Sequence, residues 1–416
     1  MHLLETKPGR AALFSALYFS EGAPIGYIWW ALPAKLREAG VPIGQATALT
    51  ALIAWPWTLK FLWAPLIDTL RSPRWGHREW IIAAQLGMGA ALLPLLWLSP
   101  AESLRLAGVA LLCHALLAAT QDVSVDAFCI ASVPAREHGS INGWMQFGML
   151  LGRGVFGGLA LWIEQRWGER CTIALLIACV WSSALLVWTL PRHGSEAPPS
   201  GRGAALDRFL ATLAKALSKR ATWLALLFAA TGGAAFEAVG GLAGAILIDH
   251  GVPKAGVGLF NAGPVVIAMA AGALSGGALS DRLGRKRSVL AAGLAIVALV
   301  LALAAVLRAP EVDTFALRAI LAGVYLSIGV FTATTYALFM DLTDPALGAT
   351  QFSAFMGATN LCEVWSVYLV GRLLERIATT QPQAPPDYPR ALAIMACLAL
   401  AALLTLRWLR LPERPH

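Results

Sequence analysis

Charge is scarce in this chain. Only 13% of its 416 residues are Asp, Glu, Lys or Arg, where a soluble protein carries about 25%. That density excludes an ordinary water-soluble surface. Acids are scarcer than bases, 24 against 32, and the bases sit in short segments between apolar blocks. This is the pattern of loops on a membrane protein and not of a nucleic-acid-binding face, so no nucleic-acid partner is expected. Catalytic constellations are missing as well. There is no HExxH, no GxSxG, no His/Cys cluster and no Walker-type Gly-Lys-Ser/Thr loop, which argues against an enzyme and against ATP as the energy source. No metal or organic cofactor is implied. The six cysteines (Cys113, Cys129, Cys171, Cys179, Cys362, Cys397) fall in or beside apolar runs without CxxC spacing, and are expected to be buried free thiols. A removable signal peptide is not expected either, because the first apolar block is too long and lacks a small-residue cleavage site.

What the chain has is apolar length. It is 58% hydrophobic, with a mean hydropathy of +0.65. Apolar blocks recur at 11–33, 43–66, 80–99, 105–130, 141–163, 171–191, 221–248, 257–279, 288–307, 316–340, 350–374 and 390–411, each long enough for a membrane-spanning helix. The expected fold class is therefore an all-α polytopic membrane protein of twelve helices. A polar linker at 192–220, opening with Gly194-Ser195-Glu196-Ala197-Pro198-Pro199-Ser200-Gly201, divides it into six-helix bundles at 1–191 and 221–416. Within the linker, Leu206 to Leu217 has helical spacing and is expected to lie along the membrane surface. Most loop Lys and Arg fall on the side that carries both termini and the linker, which the positive-inside rule makes cytoplasmic. Tryptophans near block ends, such as Trp75, Trp97, Trp223 and Trp408, read as interfacial anchors.

The halves repeat. Gly40-Val41-Pro42 precedes the second block and Gly251-Val252-Pro253 the eighth, 211 residues apart. Asp68 with Arg71, Arg74 and Arg78 then follows the second block, and Asp281 with Arg282, Arg285, Lys286 and Arg287 follows the eighth, 213 residues apart. Duplicated six-helix units build transporters whose substrate site lies near the midplane between them.

Membrane-embedded charges are the functional candidates, because each costs roughly 2.5–3.5 kcal/mol to insert at the bilayer centre. Asp122 and Asp126 lie one turn apart on one helical face. Glu21, Glu237 and Glu363 are the other acids within blocks, and Lys60 and Arg153 the bases. Acids outnumber bases by five to two, so part of the acid set must hold protons, which is what proton coupling requires. Asp122 or Asp126 is the first choice of proton carrier, then Glu21 or Glu237; static ion pairing that only ties helices together is the alternative. Lys60, Arg153, Gln121, Asn360 and Glu363 are the candidate substrate ligands, Arg153 for its bidentate fork toward a carboxylate. His114, two turns before Asp122, is a candidate relay. The glycine-rich stretch Thr231 to Gly241 around Glu237 reads as a bending gate or as a close packing surface.

The loop Gly276-Gly277-Ala278-Leu279-Ser280-Asp281-Arg282-Leu283-Gly284-Arg285-Lys286-Arg287 resembles the signature of the major facilitator superfamily. Its candidate gating residues are Gly277, Asp281, Arg282, Gly284 and Arg285, with Asp68 in the first-half copy Trp63-Ala64-Pro65-Leu66-Ile67-Asp68, which lacks the glycines. Tyr18-Phe19-Ser20-Glu21-Gly22-Ala23-Pro24, Thr58 to Asp68 through Lys60-Phe61-Leu62-Trp63-Ala64-Pro65, Thr120 to Ala127, and Ala349-Thr350-Gln351-Phe352 resemble the AmpG-like branch. That branch contains muropeptide permeases, siderophore importers and acetyl-CoA transporters. The resemblance implies proton-driven import of a small polar solute across the bacterial inner membrane by a monomer in the lipid bilayer, with both termini cytoplasmic. An anhydro-muropeptide is the first expectation. Twelve spans without an extra pair resemble the shorter siderophore importers in size, so a siderophore is the alternative, beside another acidic metabolite or a solute sensor.

Overall fold

The computed structural model describes residues 3–41, 43–72, 74–98, 100, 103–191, 202–380 and 387–409. The linker opening at 194–201 and the final residues of the twelfth expected span lie outside them. Thirteen helical passages run through the described residues: α1 (7–38), α2 (43–69), α3 (His77–Leu96), α4 (Leu104–Ser132), α5 (138–167), α6 (Glu169–Trp188), α7 (Arg202–Ser218), α8 (Arg220–Asp249), α9 (254–283), α10 (Arg285–Val306), α11 (Thr314–Leu342), α12 (Gly348–Thr380) and α13 (Tyr388–Arg407). No strand occurs among them, only an isolated bridge between Ser72 and Trp75. All except α7 answer to an expected span. Eight are both long and apolar enough to cross a membrane. The four outside that set, α1, α2, α5 and α12, carry Glu21, Lys60, Arg153, and Asn360 with Glu363.

Those helices are also irregular. A π-helical turn interrupts α1 at Tyr27–Ala31, α5 at Val155–Leu159 and α9 at Asn261–Val265. In α2, a 3₁₀ turn at Lys60–Leu62 precedes a short helix Ala64–Thr69 with Pro65 in its first turn. Pro65 has no N–H to continue the α-helical ladder, so the backbone resets there and Lys60 leaves the regular helix. In α8 the helix breaks at Gly232–Gly233, between Arg220–Thr231 and Ala234–Asp249.

The contacts gather the chain into two compact units. One comprises the described residues of Met1–Glu137, Trp144–Ala216 and Thr343–Ser353; the other those of His138–Gly143, Leu217–Leu342 and Ala354–His416. In the first unit, α1 and α5 meet through glycines spaced four apart. A Cβ on Gly26 would lie 2.7 Å from Arg153 Cα, and one on Gly152 would lie 2.8 Å from the Ala23 nitrogen. Small residues at this spacing let two backbones touch, which compensates for the weak hydrophobic drive between helices in lipid. In the second unit, a Cβ on Gly276 would lie 2.6 Å from Val330 Cα, and the rings of Phe228, Phe236, Phe331, Phe339 and Phe355 meet along α8, α11 and α12, mostly edge to face, with Phe339 stacked on Phe355.

Two expectations shift. The cysteines are free, but Cys113 and Cys397 are exposed, because their helix faces turn away from the bundle. The linker helix α7 packs Ala216 inward while Leu206, Leu210 and Leu217 stay exposed.

Candidate functional site

The first unit buries a charged cluster. Glu21 on α1, Lys60 on α2, and Asp122 and Asp126 on α4 are each at most 5% exposed. Lys60 forms an ion pair with Asp122, made possible by the 3₁₀ turn that carries it. Tyr18 donates its phenolic hydrogen to Asp126 Oδ1 at 2.5 Å, and Asp126 lies one turn beyond Asp122 on the same face of α4. Glu21 lies in the electrostatic field of Asp122, Asp126, Lys60 and Arg153, and its Oε2 has no partner among the described residues. Arg153 is half-buried on α5. The structure thus brings together Glu21, Lys60, Asp122, Asp126 and Arg153.

Gln121 and His114 are placed differently. Both are fully buried. His114 Nδ1 sits 3.0 Å from the Met88 carbonyl oxygen, which can only accept, so Nδ1 donates and the ring is anchored to α3. Neither amide atom of Gln121 has a partner among the described residues.

In the second unit, Glu237 follows the Gly232–Gly233 break by one turn and is within Coulombic range of Glu363. Glu363 is exposed and Asn360 half-buried. Trp365 Nε1 donates to the Ala230 carbonyl at 2.7 Å, tying α12 to α8 just before the break.

Both Asp-plus-basic loops cap a helix start. Asp68 accepts from the Ala349 N–H (3.1 Å), the Thr350 N–H (2.7 Å) and the Thr350 hydroxyl (2.6 Å) at the start of α12. Asp281 accepts from the Gly139 N–H (3.0 Å), the Ser140 N–H (2.8 Å) and the Ser140 hydroxyl at the start of α5. A carboxylate suits such a position because it satisfies orphan N–H groups and sits at the positive end of the helix dipole. Asp281 also accepts from Arg285 at 2.6 Å, and Arg285 reaches Asp341 at 2.9 Å, where His138 Nδ1 lies 2.8 Å from the other oxygen. Gly277 lets α9 approach α5, since a Cβ there would fall 3.1 Å from Gly143 Cα. Gly284 turns the chain at φ +90° between α9 and α10. Arg282 is exposed.

Ser140, Asp341 and His138 are not among the candidates expected from the sequence, and Tyr18 enters there only within the stretch that resembles the AmpG-like branch. Ser140 had a signal available: Gly139-Ser140 and Ala349-Thr350 place a hydroxyl residue at equivalent points of the repeat.

A cavity of about 1240 Å³ also opens in the first unit, lined by Ala11, Ser15, Phe19, Trp144, Leu151 and Leu175, with Ser20 and Ser183 in its wall. None of the buried acids lines it, so it is distinct from the charged cluster.

Buried acids within membrane helices, paired loops and an all-α duplicated fold define a membrane solute transporter, and comparison with known proteins gives its family. Residues 14–362 match the family model described as Major Facilitator Superfamily, and the chain belongs to that superfamily. It is 27% identical over 373 residues to the anhydromuropeptide permease of Escherichia coli K12, covering 88% of this chain and 74% of that protein. It is 28% identical over 164 residues to a putative transporter, AmpG 4, of Rickettsia conorii, covering 37% of this chain and 39% of that one. In fold it is similar to the proton:xylose symporter XylE (TM-score 0.70, 12% identity, 97% and 95% of the two chains). It is also similar to a bacterial homologue of the iron transporter ferroportin in the outward-facing state (TM-score 0.72, 15% identity, 98% and 99%). The substrate of such a transporter is a small molecule.

Proposed function

We propose that this chain is a proton-coupled importer of an anhydromuropeptide in the bacterial inner membrane. The observation that carries the coupling is the burial of Asp122 and Asp126 one turn apart on α4 with Lys60 ion-paired to Asp122. Two buried carboxyl groups one helical turn apart repel when both are ionised, which favours a proton on one of them. In this reading Asp126 is the acid, with Tyr18 donating to its Oδ1, and Asp122 is the carboxylate held by Lys60. Loss of that proton leaves two adjacent carboxylates against one ammonium, an arrangement stable only if another cation approaches or the site opens to water. Glu21 and Arg153, charged groups of the same cluster, are those able to respond. The muropeptide reading rests on the match to the E. coli permease across most of this chain. Its peptide carboxylates suit Arg153, and its amides and sugar hydroxyls suit Asn360.

In this reading the bundles 1–191 and 221–416, joined by a cytoplasmic linker at 192–220, rock against one another as a monomer, with N and C termini cytoplasmic. The Asp68 and Asp281 caps act as gating latches that form and release during the cycle, and Glu237 at the α8 break is the second proton-carrying candidate. The experiment is uptake into proteoliposomes under an imposed inward proton gradient, offering labelled anhydromuropeptide beside a labelled ferric siderophore. Muropeptide accumulation abolished by a protonophore is the expected result. Accumulation of the siderophore alone would overturn the substrate assignment, and gradient-independent equilibration would overturn the coupling.

A further inference from the structure

Behind the acid cluster lies a second set of buried polar groups that ion pairing does not use. Gln85 on α3 donates to Ser183 Oγ on α6 at 2.6 Å, and Ser183 Oγ donates to Ser20 Oγ on α1 at 2.9 Å. Ser20, Gln85, Gln121, His114 and Ser183 are all 5% exposed or less. Gln85 Oε1, both amide atoms of Gln121 and His114 Nε2 have no partner among the described residues.

Helix register strings the unpartnered atoms along about two turns of α4 and the facing stretch of α3. His114 and Gln121 are two turns apart on one face of α4. Ala118 between them packs with Met88 of α3, whose carbonyl holds His114. α3 and α4 run antiparallel, with Met88 beside His114 and Gly87 beside Leu117. One turn back from Met88 along α3 is Gln85, which therefore lies near the level of Ala118, between His114 and Gln121. A buried polar atom without a partner costs about 1–3 kcal/mol. Four such atoms in one apolar interface are tolerated only if something small and polar binds them, and water with its 2–4 hydrogen bonds fits that chemistry.

The set borders the acid cluster at two points, since Ser20 precedes Glu21 and Gln121 precedes Asp122. Its other side reaches the apolar cavity, in whose wall Ser20 and Ser183 lie. We propose that α1, α3, α4 and α6 enclose an ordered-water site, held by Gln85, Gln121, His114 and Ser183, through which the acid cluster exchanges its proton. In that step a carboxyl O–H breaks, a water oxygen takes the proton as hydronium, and a carboxylate remains. The site's role rests on the proton-carrying reading of Asp122 and Asp126; its existence does not.

The test is infrared spectroscopy of the full-length protein in lipid nanodiscs, following the carbonyl stretch of protonated carboxyl groups after transfer to D₂O. The wild type should show an exchanging band that is absent in Asp126→Asn. Gln85→Leu should slow exchange of that band about tenfold, as expected for one lost hydrogen-bonded link, while Met88→Leu on the same helix leaves it unchanged. Ser183→Ala serves as the second variant should Gln85→Leu fail to fold. A band that exchanges at the wild-type rate in these variants overturns the water path alone. A wild type with no band assignable to Asp126 overturns the proton-carrying reading, and the path's role with it.

Discussion

Lys60 and Asp122 illustrate why a buried pair is informative about function and uninformative about stability. Removing two charges from water costs several kcal/mol, and the attraction between them does little more than offset it. Lys60→Met alone leaves Asp122 buried without its cation and should destabilise the protein by roughly 3–5 kcal/mol. The double variant Lys60→Met/Asp122→Leu should regain most of that stability in a thermal melt yet fail to accumulate solute. Recovery of transport in the double variant would show the pair to be structural only. Tyr18→Phe removes one donor to Asp126 while keeping the ring. We expect a modest stability loss of about 1 kcal/mol and a displaced pH profile of uptake; an unchanged profile would remove Tyr18 from the coupling machinery. Asp122 and Asp126 were legible in the sequence because an apolar helix has no structural need for two acids one turn apart. Tyr18 was not, since a tyrosine in a membrane helix is an ordinary side chain until its hydroxyl is seen to meet a carboxylate.

At the scale of elements, the two caps share geometry and differ in their support. Arg71, which pairs with Asp68, has a side chain 19% exposed, whereas the Arg285 side chain is completely buried between Asp281 and Asp341. Loss of a helix cap costs about 0.5–2 kcal/mol. Asp68→Ala should fall in that range, and Asp281→Ala should cost more, because it also strips a buried guanidinium of one partner. Differential scanning fluorimetry of the two variants compares them directly; equal melting shifts would mean that the bonds to Asp341 and Ser280 are enough for Arg285. The asymmetry echoes the sequence, where the second loop keeps Gly277 and Gly284 and the first lacks both. The irregular stretches were only partly legible. Pro65, the Gly232–Gly233 pair and Pro264 inside the π turn of α9 announce a break, but the π turns of α1 and α5 contain no proline to mark them.

For the whole molecule, coupling requires that a proton on the acid cluster and a solute in the transport site favour the same conformational change. Asp126→Asn imitates the protonated state permanently. It should abolish gradient-driven accumulation of labelled anhydromuropeptide while sparing solute counterflow, in which no proton need be released. Accumulation at the wild-type level in Asp126→Asn would move the carrier role to Glu21 or Glu237.

The sequence by itself determined the membrane spans, the duplicated organisation, and the positions along the chain at which a charge or an amide enters the bilayer. Each of these is local, written in apolar length, in loop composition or in spacing along one helix. Only the tertiary structure decided the partnerships. Lys60 meets Asp122 across 62 residues, Tyr18 meets Asp126 across 108, and Asp281 and Asp68 cap helices 142 and 282 residues away. No periodicity encodes such pairs, because they depend on which helix faces the packed glycines bring together. Which buried acid has a cation, which has a hydroxyl and which amide is left for water were therefore settled by packing.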